Sequence, residues 1–112
     1  MHGLTVRWSL AGTSADKLDE LKAYVRDESY ERFLGLDGLR FKTWRARDGE
    51  WFEGCYVFAT SEARDAFETG FRVAAQDGAA SKRIGSAPVL IEACEIVSVV
   101  EGPEKFLSAP SY

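Results

Sequence analysis

The pair Asp48-Gly49 stands between two runs of alternating character, Leu39 to Arg47 and Glu50 to Ala59. No other feature limits the possible folds as strongly. Asp-Gly tolerates positive φ at both positions, which a two-residue hairpin turn requires, and the flanking alternation is that of strands. A hairpin sets register, and register sets which side chains share a face, because a strand repeats every two residues. On a two-residue loop, Arg47 faces Glu50, Arg45 faces Phe52, Thr43 faces Gly54, Phe41 faces Tyr56 and Leu39 faces Phe58. One face then holds Leu39, Phe41, Thr43 and Arg45 with Phe52, Gly54, Tyr56 and Phe58. The other holds Arg40, Lys42 and Trp44 with Trp51, Glu53, Cys55 and Val57, and Lys42 lies diagonally near Glu53.

Elements on either side complete a pattern. Leu4 to Leu10 alternates, with Leu4, Val6, Trp8 and Leu10 on one face and Arg7 on the other. Thr13 and Asp16 resemble a capping box before a helix that runs from Ser14 to about Leu34, where "RDESYERF" breaks the apolar spacing and predicts a kink or restart. Thr60 or Ser61 caps a second helix with Ala63, Ala66, Phe67, Gly70, Phe71 and Ala74 on one face. Asp77-Gly78 interrupts it, a short turn of helix follows, and a last strand is expected over Val89 to Val100. The order βαββαβ is the ferredoxin-like α+β arrangement, with the first and third strands central and both helices on one sheet face. The domain is expected to span residues 1–102, followed by a tail, 103–112. A sheet with two tryptophans on its uncovered face calls for a partner, and a homodimer formed sheet-to-sheet is expected. Trp44→Ala would then weaken dimerisation.

Bulk properties exclude several classes. A net charge of −4 argues against general nucleic-acid affinity. No apolar run is long enough to span a membrane, and "MHGLTVRWSL" lacks the form of a signal peptide, so a cytoplasmic location is expected. In that setting Cys55 and Cys94, both within expected strands, read as reduced, buried and structural. A single histidine, His2, argues against a zinc or haem-iron site built from this chain's own histidines.

"GLRFKTW" followed by "EGCYVFATSEARDAF" resembles the YdhR-like mono-oxygenases of the dimeric α/β-barrel superfamily. The shared pattern is Gly38, Lys42, Trp44, Gly54, Tyr56 and Phe58, with the helix that follows. In layout the resemblance covers most of the chain, and in residues about its central third. The segment "ESYERFLGLD" is longer here than the usual form, so the pocket mouth is expected to differ. The resemblance implies a homodimer whose two sheets close into an α/β barrel, and a cofactor-independent mono-oxygenase acting on a small aromatic or polyketide-like substrate, a quinol or anthrone. Other members of the superfamily isomerise small acids or degrade haem. The haem-degrading pattern needs Asn and His in the pocket, and this chain has no Asn and no internal His.

The candidate pocket lies between sheet and helices, lined by Trp8, Phe41, Arg45 and Tyr56. Arg45 would stabilise an oxyanion, Tyr56 would hydrogen-bond or relay a proton, and Trp8 and Phe41 would stack on a ring. Lys42 and Trp44 would bind substrate if the chamber opened toward the dimer face instead. Each has a plainer role: Trp8 and Tyr56 as core, Arg45 as a solvated edge charge, Lys42 and Trp44 as interface. Glu92 and Glu95 point to opposite faces and form no dyad, and "RIGSAP" lacks the glycines and lysine of a phosphate loop. A cyclase or isomerase on the same scaffold, or a non-catalytic ligand-binding dimer, remain as alternatives.

Overall fold

The computed structural model describes every residue, Met1–Tyr112. Strand β1 (His2–Ser9) leads to helix α1 (Lys17–Tyr24), a π-helical turn (Val25–Ser29) and α2 (Tyr30–Leu34). The hairpin β2 (Leu39–Arg47) and β3 (Trp51–Phe58) follows, then α3 (Ser61–Ala74), α4 (Ala79–Ile84) and β4 (Leu90–Glu95). The sheet is antiparallel throughout in the order β2-β3-β1-β4, with the first and third strands central. This is the ferredoxin-like α+β arrangement expected from the element order, with the helices on one face.

Local chemistry explains most of the boundaries. Thr60 is the N-cap of α3, and its side chain accepts a hydrogen bond from the Ala63 amide at 3.1 Å. The capping box expected at Thr13 does not form. Thr13 Oγ1 donates to the Leu10 carbonyl, and the helix begins at Lys17 without a side-chain cap. The irregular stretch "RDESYERF" becomes the π turn, which inserts extra backbone between two α segments and breaks the periodicity. On α3 the packed stripe is narrower than expected. Ala63, Phe67 and Phe71 meet the core, whereas Ala66, Gly70 and Ala74 are exposed. Strand β4 stops at Glu95 rather than Val100: His2 pairs with Glu95, and one further hydrogen bond, from the Ile96 amide to the Met1 carbonyl at 3.0 Å, ends the ladder. The tail folds back on its own domain, with Phe106 5.5 Å from Phe41 between ring centroids and Tyr30 hydrogen-bonded to Ser108 at 2.8 Å.

The register of the hairpin differs from the two-residue reading. Arg47 pairs with Trp51, Arg45 with Glu53, Thr43 with Cys55 and Phe41 with Val57. Lys42 therefore pairs with Tyr56 and Trp44 with Gly54. The loop contains Asp48, Gly49 and Glu50. Gly49 alone takes positive φ, at +75°, and Asp48 does not, so the turn that needs two left-handed residues is not made and Glu50 joins the loop. Packing favours this outcome. It places the Trp44 ring 6.0 Å from Phe33, under the helices, and frees Arg45 to reach Glu53 on the open face. The two-residue register would have buried Arg45 and exposed Trp44, a poor exchange for a chain seeking apolar burial. A bulge between Leu39 and Phe41 then restores the pairing of Leu39 with Phe58.

The faces of β1 and β3 are as expected. Leu4, Val6, Trp8, Phe52, Tyr56 and Phe58 are buried with Leu21, Phe33 and Ile84 in one core. On the open face, Glu53 is fully covered. Arg7 donates to it at 2.8 Å and Arg45 at 2.6 Å, and the Arg7 guanidinium lies 4.2 Å from the Trp51 ring centre. The expected Lys42–Glu53 contact is absent, since the two lie on opposite faces. Both cysteines are free, but only Cys55 is partly buried; Cys94 is exposed, against the expectation that both are buried.

Candidate active site

The one-residue shift gathers Lys42 and Trp44 with Trp8 and Tyr56 around a cleft between the sheet and the helices. It removes the other two sequence candidates. Phe41 and Arg45 belong to the opposite face, where Phe41 meets the tail and Arg45 clamps Glu53. Arg45 thus takes its plainer role as an edge charge, and a pocket lined by Phe41 and Arg45 does not form. Lys42 and Trp44 do not face a dimer surface; both turn under the helices, and Trp44→Ala would open the cleft rather than loosen a partner.

Lys42 is the centre of the arrangement. Its Nζ donates to the Tyr56 hydroxyl at 3.0 Å and lies 3.5 Å from the Phe33 ring centre, 4.4 Å from Trp44 and 4.3 Å from Tyr56. Cation–π attraction to three rings is the only favourable contact that a charged Lys42 finds here besides the Tyr56 hydroxyl. No acidic side chain lines the cleft, and Lys42 takes part in no ion pair. Burial pushes its pKa well below the usual lysine range, and the positive charge of Arg32 pushes it further the same way. Burial also holds the Tyr56 phenol above its ordinary pKa, so Tyr56 remains a proton donor. An amine poised toward neutrality thus touches a phenol that keeps its proton.

Space for this amine is made in the sheet. A Cβ on Gly54 would come 3.1 Å from Lys42 Cε and 3.2 Å from the Tyr56 hydroxyl, so Gly54 is the floor on which the pair rests. The wall opposite is built by α1 to α2. The π turn ends at the buried Ser29, and Arg32 and Phe33 follow it into the cleft lining. Trp8 closes the far side, its indole N–H donating to Ser81 Oγ at 2.9 Å, which locks α4 against β1. Sequence reasoning missed Ser29, Arg32, Phe33 and Ser81. The broken spacing of "RDESYERF" was the available signal for the first three, because π turns concentrate at functional sites. Nothing in the pattern pointed to Ser81.

The free volume of the cleft is about 50 Å³. That is room for roughly four waters and far below the usual drug-sized pocket. No group of three or more His, Cys, Asp or Glu side chains converges to hold a metal ion, and no helix is long and apolar enough to cross a membrane. No protein-family model matches the chain, and no curated protein matches it either.

Proposed function

We propose that this chain is a cofactor-independent mono-oxygenase for a small quinol- or anthrone-like substrate, with Lys42 and Tyr56 as its working pair. The observation that carries the reading is a buried amine in hydrogen-bond contact with a phenol, ringed by aromatics, with no carboxylate to hold it charged. In this reading the neutral Lys42 amine takes a proton from the substrate. The resulting oxyanion is held by the new ammonium, by the Tyr56 hydroxyl and by the charge of Arg32. The electron-rich anion reduces dioxygen itself. For an anthrone, the ring CH₂ becomes a carbonyl with one oxygen atom, and the second oxygen leaves as water with the two hydrogens. Trp8, Phe33 and Trp44 supply the apolar walls that favour dioxygen and exclude water.

The cleft as it stands admits the reacting edge of such a ring and not the whole ring. Binding therefore requires the π turn to move outward. A cytoplasmic homodimer belongs to the same reading, joined through the open sheet face where Phe41, Trp51 and Leu90 lie. The test is oxygen uptake by metal-stripped protein offered anthrones and hydroquinones. Uptake above the spontaneous rate, cut about 100-fold in Lys42→Met and in Tyr56→Phe, is expected. Uptake that is absent, or unaltered in both variants, would overturn it. A cyclase on the same site would process the substrate without consuming oxygen.

A further inference from the structure

We infer that Lys42 is also a nucleophilic amine that captures a small 2-oxo acid as an imine, with the acid's carboxylate drawn to Arg32. The inference concerns the same cleft but does not rest on oxygen chemistry. Three observations carry it. First, Lys42 Nζ has one polar contact, the Tyr56 hydroxyl at 3.0 Å, and no carboxylate in the cleft to hold the amine protonated. Second, Arg32 also has no ion-pair partner. Its guanidinium lies 5.0 Å from the centre of the same Phe33 ring that Lys42 approaches at 3.5 Å. One fixed cation, Arg32, and one amine poised toward neutrality, Lys42, therefore flank one ring in a cleft free of acidic groups. Such a site selects an anion. Third, the cleft as it stands has about 50 Å³ of free volume, the scale of an anion of a few non-hydrogen atoms such as glyoxylate or pyruvate, which would need no outward movement of the wall.

The chemistry balances within these residues. The neutral amine attacks the keto carbon, the C–N bond forms, and the carbonyl electrons move to oxygen. A proton passes from nitrogen to that oxygen and gives a carbinolamine. Tyr56 donates a proton to the departing hydroxyl, water leaves, and the C=N bond forms. The tyrosinate then recovers a proton from the nitrogen. Amine and 2-oxo acid give imine and water, with no oxidant and no other reactant. Burial, which depresses the Lys42 pKa, raises the fraction of reactive amine at neutral pH.

The experiment is reductive trapping on the intact chain without oxygen. Limiting pyruvate and cyanoborohydride are added near neutral pH, and the adduct is located by peptide mass mapping. The other four lysines, Lys17, Lys22, Lys82 and Lys105, serve as internal references. Lys42 should be labelled at least about tenfold faster than any of them, since each unit of lowered pKa gives about tenfold more free amine. Wild type should prefer pyruvate to propionaldehyde, Arg32→Gln should erase that preference, and Tyr56→Phe should slow capture. Label spread over the other lysines with Lys42 least modified, or equal capture of pyruvate and propionaldehyde, would overturn the inference. Imine capture without oxygen uptake would remove the oxygenase reading alone, and uptake without capture would remove this one alone.

Discussion

At the scale of single residues, three positions have separable consequences. Lys42 is protonated in the unfolded chain below the ordinary lysine pKa, whereas burial keeps it more nearly neutral in the folded one. The unfolded state therefore binds more protons, and folding stability rises with pH between the depressed and the ordinary value. Denaturant melts at pH 7 and 9.5 should show stability rising more with pH in wild type than in Lys42→Met, the raised Cys55 thiol acting in the opposite sense equally in both. Staying below pH 10 keeps Tyr56 out of the comparison, because its raised pKa acts in the opposite sense above that point. Equal pH slopes in the two proteins would contradict the burial of the amine. Glu53 is hydrogen-bonded by Arg7 and Arg45 and by the Cys55 thiol at 3.5 Å. Burial raises its pKa, and the Arg7 and Arg45 hydrogen bonds outweigh that and lower it. Glu53→Ala should cost about 2 kcal/mol, less than for a fully enclosed pair, because both guanidiniums can turn to water. Gly54→Ala should cost only about 1 kcal/mol in stability while displacing Lys42 from Tyr56, so oxygen uptake should fall far more than the melting point.

At the scale of elements, much was legible, and what was not has specific causes. The order βαββαβ followed from hydrophobic period, turn residues and the Thr60 cap, and the π turn announced itself as broken spacing. The two-residue hairpin did not survive. Asp48-Gly49 permits two left-handed residues but does not compel them, and burying Trp44 against Phe33 favoured the longer loop. That single residue decided the site. It turned Lys42 and Trp44 inward and Phe41 and Arg45 outward, so four of six candidates share the cleft and two do not. Faces of β1 and β3 were legible because their apolar rows are unambiguous. β2 carries aromatic and charged residues on both faces, and neither register is excluded by pattern alone. Arg32 and Ser81 depend on how α2 and α4 dock, which local sequence does not encode.

At the scale of the whole molecule, the sheet has one face filled by helices and one lightly covered. Arg7, Trp51, Glu53 and Arg45 form a tight charged cluster on the open face, the tail covers the corner at Phe41, and Ile96 lies over Gly3. Leu90, 36% exposed, lies on β4 beside this cluster. A sheet-to-sheet homodimer would cover all of it. Light scattering should give twice the 12.4 kDa chain mass, and Leu90→Asp should reduce it to one chain. A monomeric wild type would contradict the dimer, and the cleft would stand unaffected, since its lining comes from a single chain.

The most direct test is the titration of Lys42 itself. In protein labelled with carbon-13 lysine, the Cε resonance of each lysine reports its own protonation. The expected result is a midpoint for Lys42 well below those of Lys17, Lys22, Lys82 and Lys105, and a return toward them in Tyr24→Ala or Phe33→Ala, which admit water to the cleft. If Lys42 titrates together with the other four, it is an ordinary solvated ammonium, and the chemistry assigned to this cleft fails with it.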